Sequence, residues 1–154
     1  MKVGIIVHSH TGNTLSVAEK LKDALTAKSH TVTLERVNAV NEDPSAQGPV
    51  ELKDIPEVGS YDALIFGAPV RAFSLTPTMK AYLAQISALK GKKVGCFTTQ
   101  HFPFAWMGGN KAISQMKSAC EAKGAVLFST GVVNWSSKKR EEKIANVLKN
   151  LSEL

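Results

Sequence analysis

Cysteine is scarce in this chain, and no apolar run is long enough to cross a bilayer. The two cysteines among 154 residues, Cys96 and Cys120, are too few for a framework of disulfide bonds. Apolar stretches such as residues 63–68 fall far short of the roughly 20 residues that span a membrane. The first apolar run ends at His8, without the longer core and the cleavage site of a secretory signal. We therefore expect a cytoplasmic protein that does not insert into the membrane.

Basic residues outnumber acidic ones, but they lack the pattern of a nucleic-acid-binding surface. The 19 lysines and arginines face 13 acids, which gives a formal net charge of +6 and a pI near 9.4. They are spread along the chain, with small clusters at residues 90–93 and 138–140. No zinc-finger spacing and no basic-aromatic RNA-binding motif accompanies them. We interpret the charge as a solvated surface that attracts anionic or acidic partners rather than nucleic acid.

The composition is that of a globular protein. Hydrophobic residues make up 44% of the chain and charged residues 21%, close to the averages for folded proteins. A chain of this length corresponds to about one domain and buries enough surface for one hydrophobic core. Because no repeat, low-complexity tract or linker interrupts it, we predict a single domain over residues 1–154.

Short apolar segments alternate with amphipathic ones from end to end. The pattern predicts helices over residues 13–28 and 139–151, one that begins at Pro77 and one that stops at Gly124. Residues 38–60 do not continue this alternation of strands and helices. Their prolines and glycines predict a connector with at most one short helical turn. Five apolar segments read as strands, at residues 3–8, 31–37, 61–67, 93–99 and 125–130.

Strands that alternate with helices form right-handed βαβ units, which require a parallel sheet covered on both faces. We therefore predict an α/β fold, a three-layer doubly wound five-stranded sheet. Such folds bind ligands beyond the carboxyl ends of their strands. The loops after the first, third and fourth predicted strands are accordingly the candidate site.

The loop after the first strand, residues 9–14, has the composition of a phosphate-binding loop. It reads Ser-His-Thr-Gly-Asn-Thr and opens a predicted helix, whose N-terminus offers unpaired N–H groups and a partial positive charge. Such an end binds an anion without lysine or arginine. Serine, threonine and asparagine are also ordinary helix caps, but five small or polar residues in a row favour the phosphate interpretation. Neither the G-x-G-x-x-G nor the G-x4-G-K-[ST] nucleotide motif is present.

The motif Ser9-x-Thr11-Gly12-x-Thr14 resembles the S/T-x-T-G-x-T phosphate loop of the flavodoxin family. The order of strands and helices fits the flavodoxin-like sheet, strand order 2-1-3-4-5, over essentially the whole chain. The resemblance implies bound FMN, with its phosphate held by hydroxyl and backbone donors of this loop. The implied phosphate ligands are Ser9, Thr11, Asn13 and Thr14, and the candidate cofactor contacts of this loop also include His10 and Gly12.

The second loop resembles the G-x-P-x-R-F-type segment of flavodoxin-like NAD(P)H:quinone reductases, with the phenylalanine one place late. In that branch the loop borders the isoalloxazine ring. The resemblance implies flavin contacts from Pro69, Val70, Arg71, Ala72 and Phe73. A guanidinium there would stabilise an anionic reduced ring and favour two-electron chemistry. The alternative makes Arg71 a surface charge and Pro69 a turn residue.

The third loop, residues 98–110, is rich in aromatic residues and carries two glycines before a helix. It resembles the third flavin loop of the same reductases. Phe102, Phe104 and Trp106 are alternative candidates to lie against the flavin, although the two phenylalanines would also serve as anchors on the sheet. His101 is either a donor to the ring or substrate, or a solvated residue. The implied cofactor contacts are Thr98, Thr99, Gln100, His101, Trp106, Gly108 and Gly109.

The sequence lacks the motifs of two other classes of doubly wound protein. A low-molecular-weight phosphatase needs Cys-x5-Arg, but the required positions hold Phe102 and Val126. A receiver domain needs an acidic pair after the first strand, where His8 and Ser9 stand. We assign no metal site and no catalytic side chain, since the chemistry would occur at the flavin.

The sequence thus predicts flavin-dependent electron transfer in one of two forms. One is a carrier that docks on a redox partner protein; the other is a small NAD(P)H-dependent reductase of flavins or quinone-like acceptors. The basic charge of this chain counts against the carrier, because carrier flavodoxins are typically acidic. The short chain and the lack of an identifiable nicotinamide site count against the reductase. A flavodoxin-like interaction module without flavin is a third alternative. The donor, the acceptor and the oligomeric state, a homo-oligomer included, stay open.

Overall fold

A computed structural model describes residues 1–43, 45, 47–102, 104 and 106–154. In chain order its elements are β1 (Lys2–Val7), α1 (Asn13–Ala27), β2 (Thr31–Arg36), β3 (Asn38–Ala39), β4 (Leu52–Asp54), β5 (Ala63–Arg71), β6 (Ser74–Leu75), α2 (Pro77–Gln85), β7 (Lys93–Gln100), α3 (Gly109–Ala122), β8 (Val126–Asn134) and α4 (Arg140–Leu151). No helix in these described ranges has the length and apolar character needed to span a membrane.

The long strands form one parallel sheet in the order β2-β1-β5-β7-β8. Numbered among themselves, these five strands follow the predicted order 2-1-3-4-5, which is confirmed. Residues 3–7 of β1 are completely buried, because the strand lies inside the sheet and helices cover both faces. Their uninterrupted apolar character follows from this position.

Two hydrophobic cores lie on opposite faces of the sheet. Along β5, Leu64 and Phe66 belong to the core that includes residues of α2 and α3, whereas Ala63 and Ile65 belong to the core that includes residues of α1 and α4. The alternation follows from the two-residue period of a strand. The three-layer arrangement predicted from the sequence is therefore confirmed.

Residues 38–60 contain a small antiparallel β3–β4 pair, which corrects the expected connector. Asn38 pairs with Asp54 and Ala39 with Leu52, and the amide of Val40 donates to the Glu51 carbonyl. No helical turn occurs among the described residues of this range; Pro44, which contributed to the prediction, lies outside them. Strands of two and three residues are too short to leave a periodic pattern in a sequence. After β3 the chain passes close to the end of β1, where Glu42 contacts His8.

Two strands extend further than predicted, β5 to Arg71 and β8 to Asn134. The predictions ended them near Gly67 and Gly131, but these glycines lie within strands. A Cβ on Gly67 would lie 2.3 Å from the Phe97 ring, and one on Gly131 would lie 2.6 Å from the Val147 side chain. Glycine therefore serves close packing at these positions rather than a turn.

We expect Gly67→Ala to lower the free energy of unfolding by about 1–3 kcal/mol, the usual cost of overpacking a core. The added methyl group would meet the fully buried Phe97 ring. Urea denaturation followed by circular dichroism measures the change. Gly59→Ala is the matched control, since its Cβ meets no atom within 4 Å. Equal midpoints for the two variants would contradict the packing argument.

Candidate functional site

The three loops predicted to form the site meet at the carboxyl end of the sheet. β1, β5 and β7 are adjacent and parallel, so the segments that follow them leave from the same edge. The hydroxyls of Thr14 and Thr99 are 2.7 Å apart and join the first loop to the third. The rings of Phe73 and Phe102 stack at 5.4 Å between centroids and join the second to the third. The predicted convergence is thus present in the fold.

The first loop leads into α1, and its backbone N–H groups are available to a ligand. Gly12 stands at the N-cap with φ of +91°, and the first turn of the helix holds no acidic residue. Within the described part of the chain, the amides of residues 10–14 donate to no protein acceptor. Ser9 is buried, its hydroxyl accepts from the Leu15 amide, and its carbonyl accepts from the Arg36 guanidinium. Free amides at the N-terminus of a helix are the groups that bind anions in proteins.

Three threonines of the predicted list hold the loops together. Thr14, Thr98 and Thr99 are all buried. The Thr98 hydroxyl donates to the Ala68 carbonyl at 2.7 Å, which fastens the end of β7 to that of β5. Thr11 is exposed and Asn13 half-buried, so their side chains remain accessible to a ligand.

The second loop is a tight β5–β6 hairpin. Val70 pairs with Leu75 and Arg71 with Ser74, so Ala72 and Phe73 form a two-residue turn with φ of 50° and 60°. Positive φ at both positions defines a type I′ turn, which normally takes asparagine or glycine. Each such residue costs about 1–3 kcal/mol, and strain of this kind clusters at binding sites. The hairpin holds the Phe73 ring against Phe102 of the third loop.

Pro69 and Arg71 do not match the alternative that made them turn and surface residues. Pro69 lies inside β5, in register with Thr99. Arg71 is half-buried, and its guanidinium contacts Nε2 of His10 in the first loop. The second loop therefore touches the first directly through a cation.

The paired glycines before α3 allow the second and third loops to pack closely. Gly108 has φ of +113°, and a Cβ there would lie 2.7 Å from Cα of Phe73. A Cβ on Gly109 would lie 2.8 Å from Oε1 of Gln100. Both glycines are buried. Their contribution is to let the second and third loops pack closely, since they have no side chain to line the site.

Gln100 presents a buried oxygen with no partner. Its side-chain nitrogen donates to the carbonyls of Phe102 and Phe104. Its Oε1 accepts no hydrogen bond from the described residues. An unpaired buried acceptor costs about 1–3 kcal/mol, and a ligand donor would satisfy it.

Exposed aromatic rings cover the outer side of the site. Phe73, Phe102, Phe104 and Trp106 are 54%, 39%, 56% and 73% exposed, and Phe104 stacks on Trp106 at 6.1 Å. This exposure argues against the alternative that the two phenylalanines anchor the third loop in the core. Clustered exposed aromatics mark a binding surface. His101 is exposed beside them, with its ring edge towards Phe102.

A histidine–glutamate pair lies behind the first loop. His8 is fully buried; Nδ1 lies 3.0 Å from the Thr76 hydroxyl, and Nε2 lies 3.0 Å from Oε2 of Glu42. Burial lowers the pKa of His8, although the Glu42 carboxylate acts in the opposite direction. Burial, aided by His8 and Arg71, also lowers the pKa of His10. Both imidazoles are therefore mainly neutral at pH 7.

Sequence reasoning missed Glu42 and Thr76 as neighbours of this loop. Partial burial raises the pKa of Glu42, but hydrogen bonds from His8 and the Ala39 amide outweigh it, so the net shift is downward. Glu42 stands in a segment without periodicity, and no local signal connects it to His8. Thr76 stands at the N-cap of α2, directly before Pro77, but its hydroxyl faces His8 and caps no backbone group.

A parallel doubly wound sheet with an anion-binding loop after its first strand and aromatic loops beside it is the architecture of flavodoxin-like proteins. A family model described as a flavodoxin domain matches residues 4–103, about two thirds of the chain. The chain therefore belongs to the flavodoxin family. No curated protein matches it significantly.

Solved structures share this fold over nearly the whole chain. Oxidised Flavodoxin 2 from Bacillus cereus is 23% identical, with 99% of each chain covered and a TM-score of 0.71. The two-electron-reduced flavodoxin from Megasphaera elsdenii is 21% identical, with 99% of each chain covered and a TM-score of 0.68. A flavoprotein in complex with FMN from Lactobacillus acidophilus is 18% identical, with 95% of this chain and 97% of that chain covered and a TM-score of 0.67.

Proposed function

We propose that the protein binds FMN at the carboxyl end of the sheet and transfers electrons through it. The observation that carries the proposal is the lysine-free loop of residues 9–14, which contacts both aromatic loops and whose amides at residues 10–14 donate to no acceptor among the described residues. Membership of the flavodoxin family supports it. Bound FMN supplies reversible one-electron and two-electron chemistry.

The residues present suit the parts of FMN. The amides of the first loop, with the hydroxyls of Ser9, Thr11 and Thr14, suit the dianionic phosphate. The exposed aromatic side chains of the second and third loops suit an apolar ring system. The unpartnered Oε1 of Gln100 suits a ring N–H donor. The phosphate, the ring system and a ring N–H of the cofactor thus find complementary groups among the described residues.

Titration with FMN tests this proposal. We expect the purified protein to be yellow, or to quench flavin fluorescence at a one-to-one ratio when micromolar FMN is added. Colourless protein that ignores micromolar FMN would overturn it and would favour an interaction module without flavin.

The surface beside the site supports an anionic or acidic redox partner. The Trp135 amide donates to the Gln100 carbonyl at 2.7 Å, which places the turn after β8 next to the third loop. Lys138 and Lys139 are exposed on this turn, and the Arg140 guanidinium lies 4.9 Å from the Trp135 ring centroid. Positive charge at this rim would speed association with a negatively charged protein or small acceptor.

Steady-state assays distinguish the carrier from the reductase. A reductase would oxidise NADH or NADPH with a quinone as acceptor, without a further protein. A carrier would show no such turnover but would pass electrons to an acidic redox protein at a rate that falls steeply with salt.

We expect Arg71→Gln to lower the two-electron reduction potential of bound FMN. The guanidinium reaches the first loop and would stabilise negative charge on the reduced cofactor. A partly solvated charge pair is worth up to about 1 kcal/mol, which is roughly 20 mV for a two-electron couple. Potentiometric titration measures the shift, with Arg140→Gln as the control. Equal potentials in Arg71→Gln and the unmodified protein would remove Arg71 from the neighbourhood of the ring.

A further inference from the structure

We propose that His8, His10 and Glu42 form a binding site for a divalent transition-metal ion such as zinc. The two histidines stand two residues apart at the end of β1, and Glu42 follows β3. Oε2 of Glu42 lies 3.0 Å from Nε2 of His8 and 3.8 Å from Nε2 of His10. One ligand atom from each residue lies within 4.8 Å of the other two.

The separations suit a four-coordinate ion. Ligands at zinc lie about 2.0–2.2 Å from the metal, which in a tetrahedron sets ligand atoms roughly 3.3–3.6 Å apart. The two distances to Oε2 of Glu42 fall on either side of this range, and the third separation, between the two histidines, is at most 4.8 Å. Two histidines and one carboxylate form a ligand set that zinc and iron use in proteins, with positions left open for water or substrate.

Two of the three ligands are held in place by further hydrogen bonds. The buried Thr76 hydroxyl lies against Nδ1 of His8, which leaves Nε2 for the metal. Oε1 of Glu42 accepts the Ala39 amide, which leaves Oε2 for the metal. Outer partners of this kind orient metal ligands and are a usual part of metal sites.

Arg71 opposes the ion. Its guanidinium contacts Nε2 of His10, the atom that would coordinate, and its charge repels a cation. Arg36 adds positive charge near His8, while its guanidinium donates to the Ser9 carbonyl. We therefore expect the metal ion and the Arg71 guanidinium to compete for Nε2 of His10, so Arg71 must move away from His10 when the metal binds.

Cobalt titration of the flavin-free full chain tests the proposal. Co²⁺ in a four-coordinate site absorbs strongly in the visible range, and added Zn²⁺ should displace it. We expect one ion per chain, a large loss of affinity in Glu42→Gln and His8→Gln, and a loss of about 10–100-fold in Thr76→Val. Arg71→Gln should bind the ion more tightly, which a merely structural role of these residues would not produce.

Matched controls keep the test decisive. His30 lies 3.1 Å from the N-terminal amine, the alternative place for an adventitious ion. Binding at His8, His10 and Glu42 predicts an unchanged cobalt spectrum in His30→Gln, and loss of the bands in that variant overturns the proposal. Glu42 is partly exposed and tolerates substitution better than the buried His8, and circular dichroism verifies folding of both variants. Absence of visible cobalt bands, or equal affinity in Glu42→Gln and the unmodified chain, overturns the proposal. Because no flavin is present, neither outcome depends on FMN binding.

Discussion

Replacing Thr11 and Thr14 together by alanine should weaken FMN binding by about two to four orders of magnitude. Each hydrogen bond to a charged group contributes about 1.5–3 kcal/mol, and the variant removes two hydroxyls from the loop that opens α1. The amides of residues 10–14 remain, so binding should weaken without being abolished. Quenching of flavin fluorescence on titration measures the dissociation constant.

Two further variants show how these threonines act. Thr26→Ala removes a hydroxyl from the far end of the same helix, where it donates to the Lys22 carbonyl, and should leave affinity unchanged. Thr99→Val removes the hydrogen-bond partner of Thr14 and leaves the Thr14 hydroxyl in place. If Thr99→Val weakens binding as much as Thr14→Ala does, Thr14 acts by positioning the loop. Unchanged affinity in the double alanine variant would place the phosphate elsewhere.

Gly108→Ala should lower the free energy of unfolding by about 2–5 kcal/mol and displace the β5–β6 hairpin. A side chain at positive φ costs about 1–2 kcal/mol, and overpacking adds about 1–3 kcal/mol. The new Cβ would lie 2.7 Å from Cα of Phe73. A backbone atom moves away less easily than the end of a flexible side chain. Urea denaturation measures the loss, and weaker FMN binding should accompany it.

Gly91→Ala separates the two causes. Gly91 also has positive φ, +74°, but its Cβ would meet no atom within 4 Å. This variant therefore reports the backbone strain alone. If Gly108→Ala destabilises the protein no more than Gly91→Ala does, the glycine before α3 is needed for its backbone conformation and not for contact between the loops.

Sequence reasoning succeeded where the relevant residues are contiguous. The loop of residues 9–14 connects a strand to a helix, so its place at the end of the sheet follows from local structure. The apolar segments also predicted a parallel sheet built from βαβ units, and the resemblance to the flavodoxin family implied the strand order. It failed at Gly67 and Gly131, since only the neighbouring side chains show that these glycines serve packing.

The sequence by itself determined the doubly wound fold and the phosphate-type loop, because periodicity and a strand–loop–helix motif act over short stretches of chain. Tertiary structure alone decided that Thr14 meets Thr99, that Phe73 stacks on Phe102 and that Glu42 reaches His8. These partners are separated by 85, 29 and 34 positions, respectively (99 − 14, 102 − 73 and 42 − 8). Contacts over such separations arise only when non-adjacent segments pack together, and no local pattern of residue types encodes which side chains will then touch.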